Sequence, residues 1–303
     1  MWKLAHVTPM HKSGNKSDKV NYRPIPILST LSKMTESVIH RRFLRRLLSY
    51  QIITKMQAAY IPADSTAQQL IHLIHSIKTS MASKNIAHAV FLDVSKAFDA
   101  VWHQGLLAKL EQIDVCGNAL KLFSSNLNNR QSLTVVDGQK SAPLPLKAGV
   151  PQGSCLGPLI FILFINDLVV NLESTPYLYA DDCTLLARGG CTFETTNILN
   201  RDLLKIIKWA LSWKVTFNPS KSKDLIFSNK LLPSHPTIFG LHCIERVTTV
   251  KHLGVYLTST LDWNKQIQSI FKKVNYKLSI IQSVKGLSDN VYMFCINSTL
   301  DPA

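Results

Sequence analysis

Apolar residues follow two patterns along the chain, and each pattern predicts a different secondary structure. Short continuous apolar runs predict buried strands: one covers Ala87–Leu92, and two more, Tyr177–Tyr179 and Cys183–Ala187, flank a tight bend. Apolar residues three and four positions apart predict amphipathic helices at Thr35–Ser49 and Phe193–Ser212. The chain has 303 residues, enough to bury a large core in one or two domains.

Polar residues between these segments supply turn and capping signals. Ser65 or Thr66 is expected to cap a helix, because a hydroxyl oxygen can accept a hydrogen bond from a backbone N–H of the first turn. The pair Asp137-Gly138 is a strong signal for a two-residue hairpin turn. A long apolar helix is expected to begin at Ser154 and to extend to Leu172.

Carboxylates stand at the ends of the predicted strands. Asp181 and Asp182 lie side by side at the bend of the hairpin, and Asp93 directly follows the run Ala87–Leu92. Only the fold can bring Asp93 to the other two, and three converging carboxylates would supply the hard oxygen ligands that Mg²⁺ requires. The alternative is an ordinary hairpin turn, a position that Asp favours.

Several longer motifs share one family resemblance. The stretches YADD, FLDVSKAFDAV and AGVPQGSCLGPLIFILFINDL resemble the palm motifs of reverse transcriptases. NYRPIPIL before them and VKHLGVYLT after them fit the same pattern in the same order, most closely that of LINE-type, non-LTR retrotransposons of the jockey-like branch. The resemblance implies an α+β right-hand polymerase fold, with fingers and palm in residues 1–257. Residues 258–303 would then be the start of an incomplete thumb, and the chain a piece of a longer element.

The resemblance also implies a reaction and a catalytic centre. It implies RNA-directed DNA synthesis, in which a deoxynucleoside triphosphate is joined to the 3′-hydroxyl of a DNA primer on an RNA template. Asp93, Asp181 and Asp182 would hold two Mg²⁺ ions about 4 Å apart, with Mn²⁺ as a possible replacement. Residues 213–228 predict two strands around a loop, in which Lys221 matches the lysine thought to protonate the leaving pyrophosphate. Lys223 is the rival for this role.

The same comparison suggests residues that bind the substrate. Arg23, in the NYRP motif, would hold the triphosphate, because its planar guanidinium suits phosphate oxygens. Phe98, five residues after Asp93, would exclude a 2′-hydroxyl, and Gln152 and Gly153 would approach the nucleotide and the template base. The alternatives are a surface arginine, a core phenylalanine and a simple Pro-Gly turn.

Composition agrees with a nucleic-acid partner. The formal net charge is +15, which suits a polyanion, although a solvated basic surface without a specific partner is the alternative. The arginines of the first predicted helix would contact template backbone or simply face solvent; they are Arg41, Arg42, Arg45 and Arg46. The cysteines lack paired C-x-x-C spacing, which indicates a reduced, intracellular protein. The family resemblance implies that the protein is part of a ribonucleoprotein in the nucleus and the cytoplasm.

Some positions depart from the family pattern, and other functions stay open. Pro26 stands where a small polar residue is usual, Ala59 where glycine is usual, and Ile61 and Asp64 where basic residues are usual. One alternative is therefore an inactive retroelement relic, and another is an RNA-binding module without catalysis. The apolar run Leu159–Ile165 falls far short of the about 20 residues that a membrane-spanning helix needs.

Overall fold

The computed structural model describes residues 3–150, 153–228, 232–233 and 235–283. Within them the helices are α1 (Thr30–Ser49), α2 (Thr66–Ala82), α3 (His103–Gln112), α4 (Gly117–Leu127), α5 (Gly157–Phe164), α6 (Thr192–Trp213) and α7 (Asn264–Ser283). The strands are β1 (Leu4–His11), β2 (Tyr22–Ile27), β3 (Ile86–Asp93), β4 (Gln131–Val136), β5 (Gln139–Lys140), β6 (Leu144–Pro145), β7 (Thr175–Tyr179), β8 (Asp182–Gly189), β9 (Lys223–Phe227), β10 (Ile238–Phe239), β11 (His242–Cys243), β12 (Glu245–Arg246), β13 (Thr249–His252) and β14 (Val255–Thr258). Short 3₁₀ helices cover Lys19–Asn21, Ala97–Asp99 and Asn166–Val169.

A sheet in the order β12-β9-β3-β8-β7 forms the centre of the molecule. Its middle strand, β3, is buried at every position except Asp93 at its end. Alternate β3 residues enter two different hydrophobic clusters, because successive side chains point to opposite faces of a sheet. Val90 and Leu92 pack in the cluster that contains residues of α6, and Ala89 and Phe91 in the cluster that contains residues of α2. Coverage of both faces explains why β3 is a continuous apolar run.

A second sheet, in the order β2-β1-β4-β5, is much less buried. β1 pairs with β2 antiparallel and with β4 parallel, and β6 joins the other edge of β4. Asp137 and Gly138 connect β4 to β5 with φ values of 49° and 80°. Positive φ at both central residues is the geometry of a type I′ turn, so the predicted hairpin is confirmed.

The predicted helix starts are mostly confirmed. The Ser65 hydroxyl accepts a hydrogen bond from the backbone N–H of Gln68 at 3.2 Å and caps α2. Helix α6 agrees with its prediction to within one residue at each end. Helix α1 begins at Thr30 rather than Thr35, because Ser29 provides an earlier cap to the N–H of Ser32.

The long apolar helix predicted from Ser154 to Leu172 is wrong. Helix α5 ends at Phe164, and a short 3₁₀ helix follows. The Asn166 side chain there accepts from the N–H of Thr54 and donates to the carbonyl of Ile52, both at 2.8 Å. These contacts with a distant loop compete with continuation of the helix, and the apolar pattern contains no information about them.

The two strands predicted around Lys221 are only half correct. Strand β9 forms, whereas the preceding segment makes a single isolated bridge between Phe217 and Val94. The segment that contains VKHLGVYLT forms an antiparallel hairpin of β13 and β14, and α7 follows directly after Trp263. No α-helix in the described ranges combines the length and apolar character required to cross a bilayer. The assignment of residues 258–303 to a thumb stays a prediction.

Candidate active site

The three aspartates lie at the same end of the central sheet. Asp93 is paired directly with Asp182 in the antiparallel ladder of β3 and β8. Asp182 is also paired with Tyr179 across β7 and β8, so Ala180 and Asp181 form the two-residue turn between these strands. The fold therefore places all three carboxylates at neighbouring backbone positions, as the sequence predicts.

Mutual repulsion and desolvation act on this group. Desolvation first, and then the charges of Asp181 and Asp93, raise the pKa of Asp182 to about 6. Desolvation is also the main cause of a raised pKa at Asp181, with a further contribution from Asp93. The Asp182 side chain is exposed to solvent although neighbouring protein atoms partly desolvate it. We therefore expect solvent to weaken the electrostatic repulsion from Asp181 and Asp93. Carboxylates that repel one another in this way favour a bound cation.

The donor chemistry fits Mg²⁺, but the protein ligands do not enclose an ion. In the described part of the chain, no three His, Cys, Asp or Glu side chains form a cluster ready to hold a metal. Mg²⁺ usually keeps several water molecules and is bound by one or two carboxylates together with substrate phosphates. An open set of carboxylates is therefore compatible with a metal site completed by substrate.

A cleft of about 650 Å³ opens beside the carboxylates. It brings together several of the residues predicted to bind substrate with one of the predicted ligands: Arg23, Phe98, Gly153, Lys221 and Asp181. Lys12, Tyr60 and Lys96 add to its polar lining. Asp93 and Asp182 lie next to Asp181 in the sheet but are not part of the lining. Gln152 lies outside the described residues.

Arg23 and Phe98 occupy different surroundings within the cleft. Arg23 is exposed on β2, opposite Met10 of β1. Phe98 is half-buried and stacks on Phe161 with ring centroids 4.5 Å apart. Phe98 is therefore both a packing residue and a wall of the cleft, so the two interpretations of this position do not exclude each other.

The Gly153 loop approaches other backbone closely. Gly153 has a φ of 81°, and a Cβ atom there would lie 3.1 Å from the carbonyl oxygen of Pro26. At Gly149, with φ of 88°, a Cβ atom would lie 2.8 Å from the carbonyl oxygen of Asp99. Both positions need glycine for conformation and for space. The N–H of Val150 donates to the carbonyl of Phe98 at 2.8 Å, which ties this loop to the cleft wall.

The two candidate lysines are in different situations. The ammonium of Lys223 pairs with Glu245, whereas Lys221 is exposed and lines the cleft. The loop that carries Lys221 is connected to Asp93, since the N–H of Asn218 donates to the carbonyl of Asp93 at 2.8 Å. The geometry favours Lys221 over Lys223.

Comparison with known proteins identifies the family. Residues 11–257 match the sequence profile described as reverse transcriptase (RNA-dependent DNA polymerase). The chain belongs to the reverse transcriptase family. The resemblance to reverse transcriptases that the motifs indicated and the predicted polymerase fold are both confirmed.

Individual relatives agree with this reverse transcriptase assignment. The chain is 30% identical over 287 residues to the RNA-directed DNA polymerase from mobile element jockey of Drosophila melanogaster. It is 29% identical over 284 residues to the probable RNA-directed DNA polymerase from transposon X-element of the same species. Each alignment covers 92% of this chain and 31% of the relative, so the chain spans about a third of the length of these curated relatives.

A solved structure shares the fold. Apo telomerase from Candida tropicalis, truncated from the C-terminal domain, superposes with a TM-score of 0.58 at 12% sequence identity. The match covers 86% of the reverse transcriptase chain and 54% of the telomerase chain. At this identity the similarity shows the fold alone.

Sequence reasoning missed two residues near the reverse transcriptase cleft. Tyr60 lines it, and desolvation together with the charge of Asp181 raises the pKa of its phenol. Glu36 is buried and accepts hydrogen bonds from the Ser154 hydroxyl at 2.6 Å and the Cys155 N–H at 3.0 Å, anchoring the chain just after Gly153. The aromatic residue in QAAY was a visible signal for Tyr60. An acid inside a helix with exposed arginines gave no signal for Glu36.

Proposed function

We propose that this chain joins deoxynucleoside triphosphates to the 3′-hydroxyl of a DNA primer paired with an RNA template. The observation that carries the proposal is the pairing of Asp93 with Asp182 beside Asp181, at a cleft that also contains Arg23. A carboxylate group next to a phosphate-binding arginine is what nucleotidyl transfer requires, because this chemistry depends on positioning and charge stabilisation.

Asp93, Asp181 and Asp182 would hold Mg²⁺, with Mn²⁺ as a replacement that favours the same oxygen ligands. When bound, the ions would supply charge neutralisation for the primer 3′-oxygen and for the leaving pyrophosphate. The carboxylates stand on β3 and on the β7–β8 turn, so the buried sheet holds them at a constant separation. Because the pKa values of Asp181 and Asp182 are raised, a cation that binds there would displace protons from these two carboxylates.

Basic residues of the cleft bind the triphosphate. The Arg23 guanidinium would donate to non-bridging phosphate oxygens, and the exposed Lys12 lies on the same side of the cleft. Lys221 would donate a proton to the pyrophosphate as it leaves, since its ammonium is exposed at the cleft. The Phe98 ring would lie under the sugar and disfavour a 2′-hydroxyl, the group that distinguishes ribose from deoxyribose. The backbone at Gly153 would approach the base.

Primer extension by the purified chain tests the proposal. Asp181→Asn removes a charge and keeps the size of the side chain. Because charge stabilisation by bound metal is worth several kcal/mol, extension should fall roughly 1000-fold. Asp137→Asn is the matched control and should extend normally, since Asp137 also stands in a two-residue hairpin turn but is not part of the cleft lining. Unchanged extension by Asp181→Asn would contradict the catalytic assignment.

A second candidate function is RNA binding without chemistry. The observation in its favour is the row of exposed arginines on α1, which comprises Arg41, Arg42, Arg45 and Arg46. Salt-sensitive RNA affinity in a purified parent chain that incorporates no nucleotide would favour this candidate over the polymerase. Template-dependent incorporation would exclude it.

A further inference from the structure

The turn that carries the catalytic carboxylates is conformationally strained. Ala180, the first of its two residues, has a φ of 53°, in the left-handed region that residues with a Cβ atom avoid. Two-residue hairpin turns with positive φ at this position normally place glycine there. Such strain persists only where surrounding structure holds it. The source of that support decides where Asp181 and Asp182 point.

The support comes from a buried glutamine outside the hairpin. The Oε1 atom of Gln57 accepts a hydrogen bond from the N–H of Ala180 at 3.0 Å and a second from the N–H of Ala59 at 2.9 Å. Gln57 is 3% exposed and Ala180 is 6% exposed. The Ala180 N–H is therefore a buried donor, and Gln57 supplies the acceptor that it needs.

The orientation of the Gln57 amide follows from its neighbours. Both backbone groups that face Oε1 are donors, so only the oxygen of the amide can occupy that position. The Nε2 atom is then buried, without a hydrogen-bond partner among the described residues. An unsatisfied buried donor is destabilising. The Oε1 atom of Gln57 thus satisfies the backbone donors, while the Nε2 atom of the same amide stays without a partner.

Backbone hydrogen bonds hold Gln57 itself in place. The N–H of Ala58 donates to the carbonyl of Leu178 at 3.0 Å, and the N–H of Leu178 donates to the carbonyl of Met56 at 2.9 Å. The segment around Gln57 therefore lies along the edge of β7 in a parallel bridge. Gln57 is therefore bound to the strand that leads into the turn, and its side chain is not part of the cleft lining.

We propose that Gln57 is a positioning residue for the catalytic carboxylates. It keeps the Ala180 peptide in its strained conformation, and this conformation directs Asp181 into the cleft while Asp182 stays in register with Asp93. Without the Oε1 acceptor, the peptide would relax towards negative φ and the carboxylates would no longer converge. The inference rests on the proposed function, because convergence matters only if the carboxylates hold metal.

The variant Gln57→Leu removes the acceptor with little change in size. Loss of an outer residue that orients metal ligands typically costs about 10- to 100-fold in metal affinity or activity. We expect a decrease of this order in kcat and a matching rise in the Mg²⁺ concentration for half-maximal extension. The KM for deoxynucleotides should change little, since Arg23 and the cleft wall are intact.

The matched control is Gln69→Leu. Gln69 is also buried, and its Nε2 donates to the carbonyl of Leu178 at 3.4 Å, on the same strand but before the turn. Gln69→Leu should lower the melting temperature by about as much as Gln57→Leu does. Its kcat and the Mg²⁺ concentration for half-maximal extension should stay at parent values. Gln57→Met, which keeps the length of the side chain, serves as a second acceptor-free variant if Gln57→Leu fails to fold.

Calorimetric titration with Mn²⁺ separates this inference from the proposed function. Weaker Mn²⁺ binding by the Gln57 variants than by the parent and by Gln69→Leu supports the positioning role, even in a parent chain that extends no primer. Parental kcat and Mn²⁺ affinity in a folded Gln57 variant would overturn it while leaving the polymerase assignment intact. A parent chain that binds no Mn²⁺, either alone or in the presence of a deoxynucleoside triphosphate and primer–template, would overturn both.

Discussion

The two sheets of this reverse transcriptase domain differ most in burial. The central strands β3 and β8 are buried on both faces, whereas β1 and β2 consist mostly of half-buried and exposed positions. The buried sheet carries the carboxylates, and the exposed sheet carries Arg23. Under the proposed function, the residues that would hold the metal thus stand on a buried sheet, and a residue that would bind a diffusing substrate stands on an exposed one.

This difference has a physical basis. A strand packed on both faces cannot slip by one residue without moving all of its side chains to the wrong side, so its register is strongly specified. The exposed sheet has fewer buried positions, so we expect its local stability to be lower. We therefore expect substitutions in the central sheet to act on stability and kcat, and substitutions in the exposed sheet to act mainly on substrate binding.

The largest stability difference between the sheets should appear with Leu185→Ala. Leu185 lies in β8, is 0% exposed and belongs to the main hydrophobic cluster. Its truncation should cost about 2–5 kcal/mol of unfolding free energy. The control Leu144→Ala, in β6 of the other sheet, should stay within about 0.5 kcal/mol, because Leu144 is 66% exposed. Denaturant unfolding measures both, and equal losses would refute the proposed contrast.

Phe98 lines the cleft together with Arg23 and Asp181, and it tests how sharply the roles of the two sheets divide. Phe98→Val opens space beside the sugar and should raise ribonucleotide use relative to deoxynucleotide use by about 10- to 200-fold, the range that pocket shape can supply. The assay is competitive incorporation. Phe193→Val is the control, because Phe193 is 60% exposed and lies outside the cleft lining. Undiminished discrimination against ribonucleotides would show that Phe98 only packs against Phe161.

Arg23 tests the binding role of the exposed sheet. Arg23→Ala should raise the deoxynucleotide KM about tenfold or more, since a hydrogen bond to a charged group is worth about 1.5–3 kcal/mol. The kcat should change less than in Asp181→Asn, because the carboxylates remain in place. Arg42→Ala, an exposed arginine on α1, is the control with unchanged deoxynucleotide KM. A loss confined to kcat would place Arg23 in the chemical step and contradict the expectation that the exposed sheet acts mainly on substrate binding.

The smallest effect should be a pH dependence of stabilisation by Mg²⁺. The pKa of Asp182 is raised from 3.8 to about 6, so the folded state retains a proton there that the unfolded state has lost. This contribution to stability is fully present below pH 3.8 and is lost as the pH rises through about 6. Under the proposed function, Mg²⁺ would compete with that proton, so the rise in melting temperature on adding Mg²⁺ should be larger near pH 7.5 than near pH 5.

Asp181→Asn provides the control for this pH effect, since it removes both a ligand and a repulsive charge and should reduce the Mg²⁺ effect at both pH values. An equal Mg²⁺ effect at the two pH values in the parent chain would argue against a raised pKa at Asp182.

Local sequence patterns predicted many elements correctly. The apolar run of β3, the β7–β8 hairpin, the Asp137-Gly138 turn and the Ser65 cap all depend on interactions between near neighbours, which the sequence displays directly. The helix predicted from Ser154 to Leu172 failed for the opposite reason. Its early end depends on Asn166 contacting a loop more than a hundred positions away, and an apolar pattern cannot register such a partner.

The amino-acid sequence alone was enough to predict strand β3 and the β7–β8 hairpin, because these follow from side-chain periodicity and local backbone preference. It also displayed the order of the family motifs. Tertiary structure decided which groups face one another. It placed Asp182 opposite Asp93, paired Lys223 with Glu245 and left Lys221 open to the cleft. It also brought Gln57 to the strained peptide of Ala180. Hydrogen bonds and ion pairs of this kind depend on distance in space, which the linear order of residues does not contain.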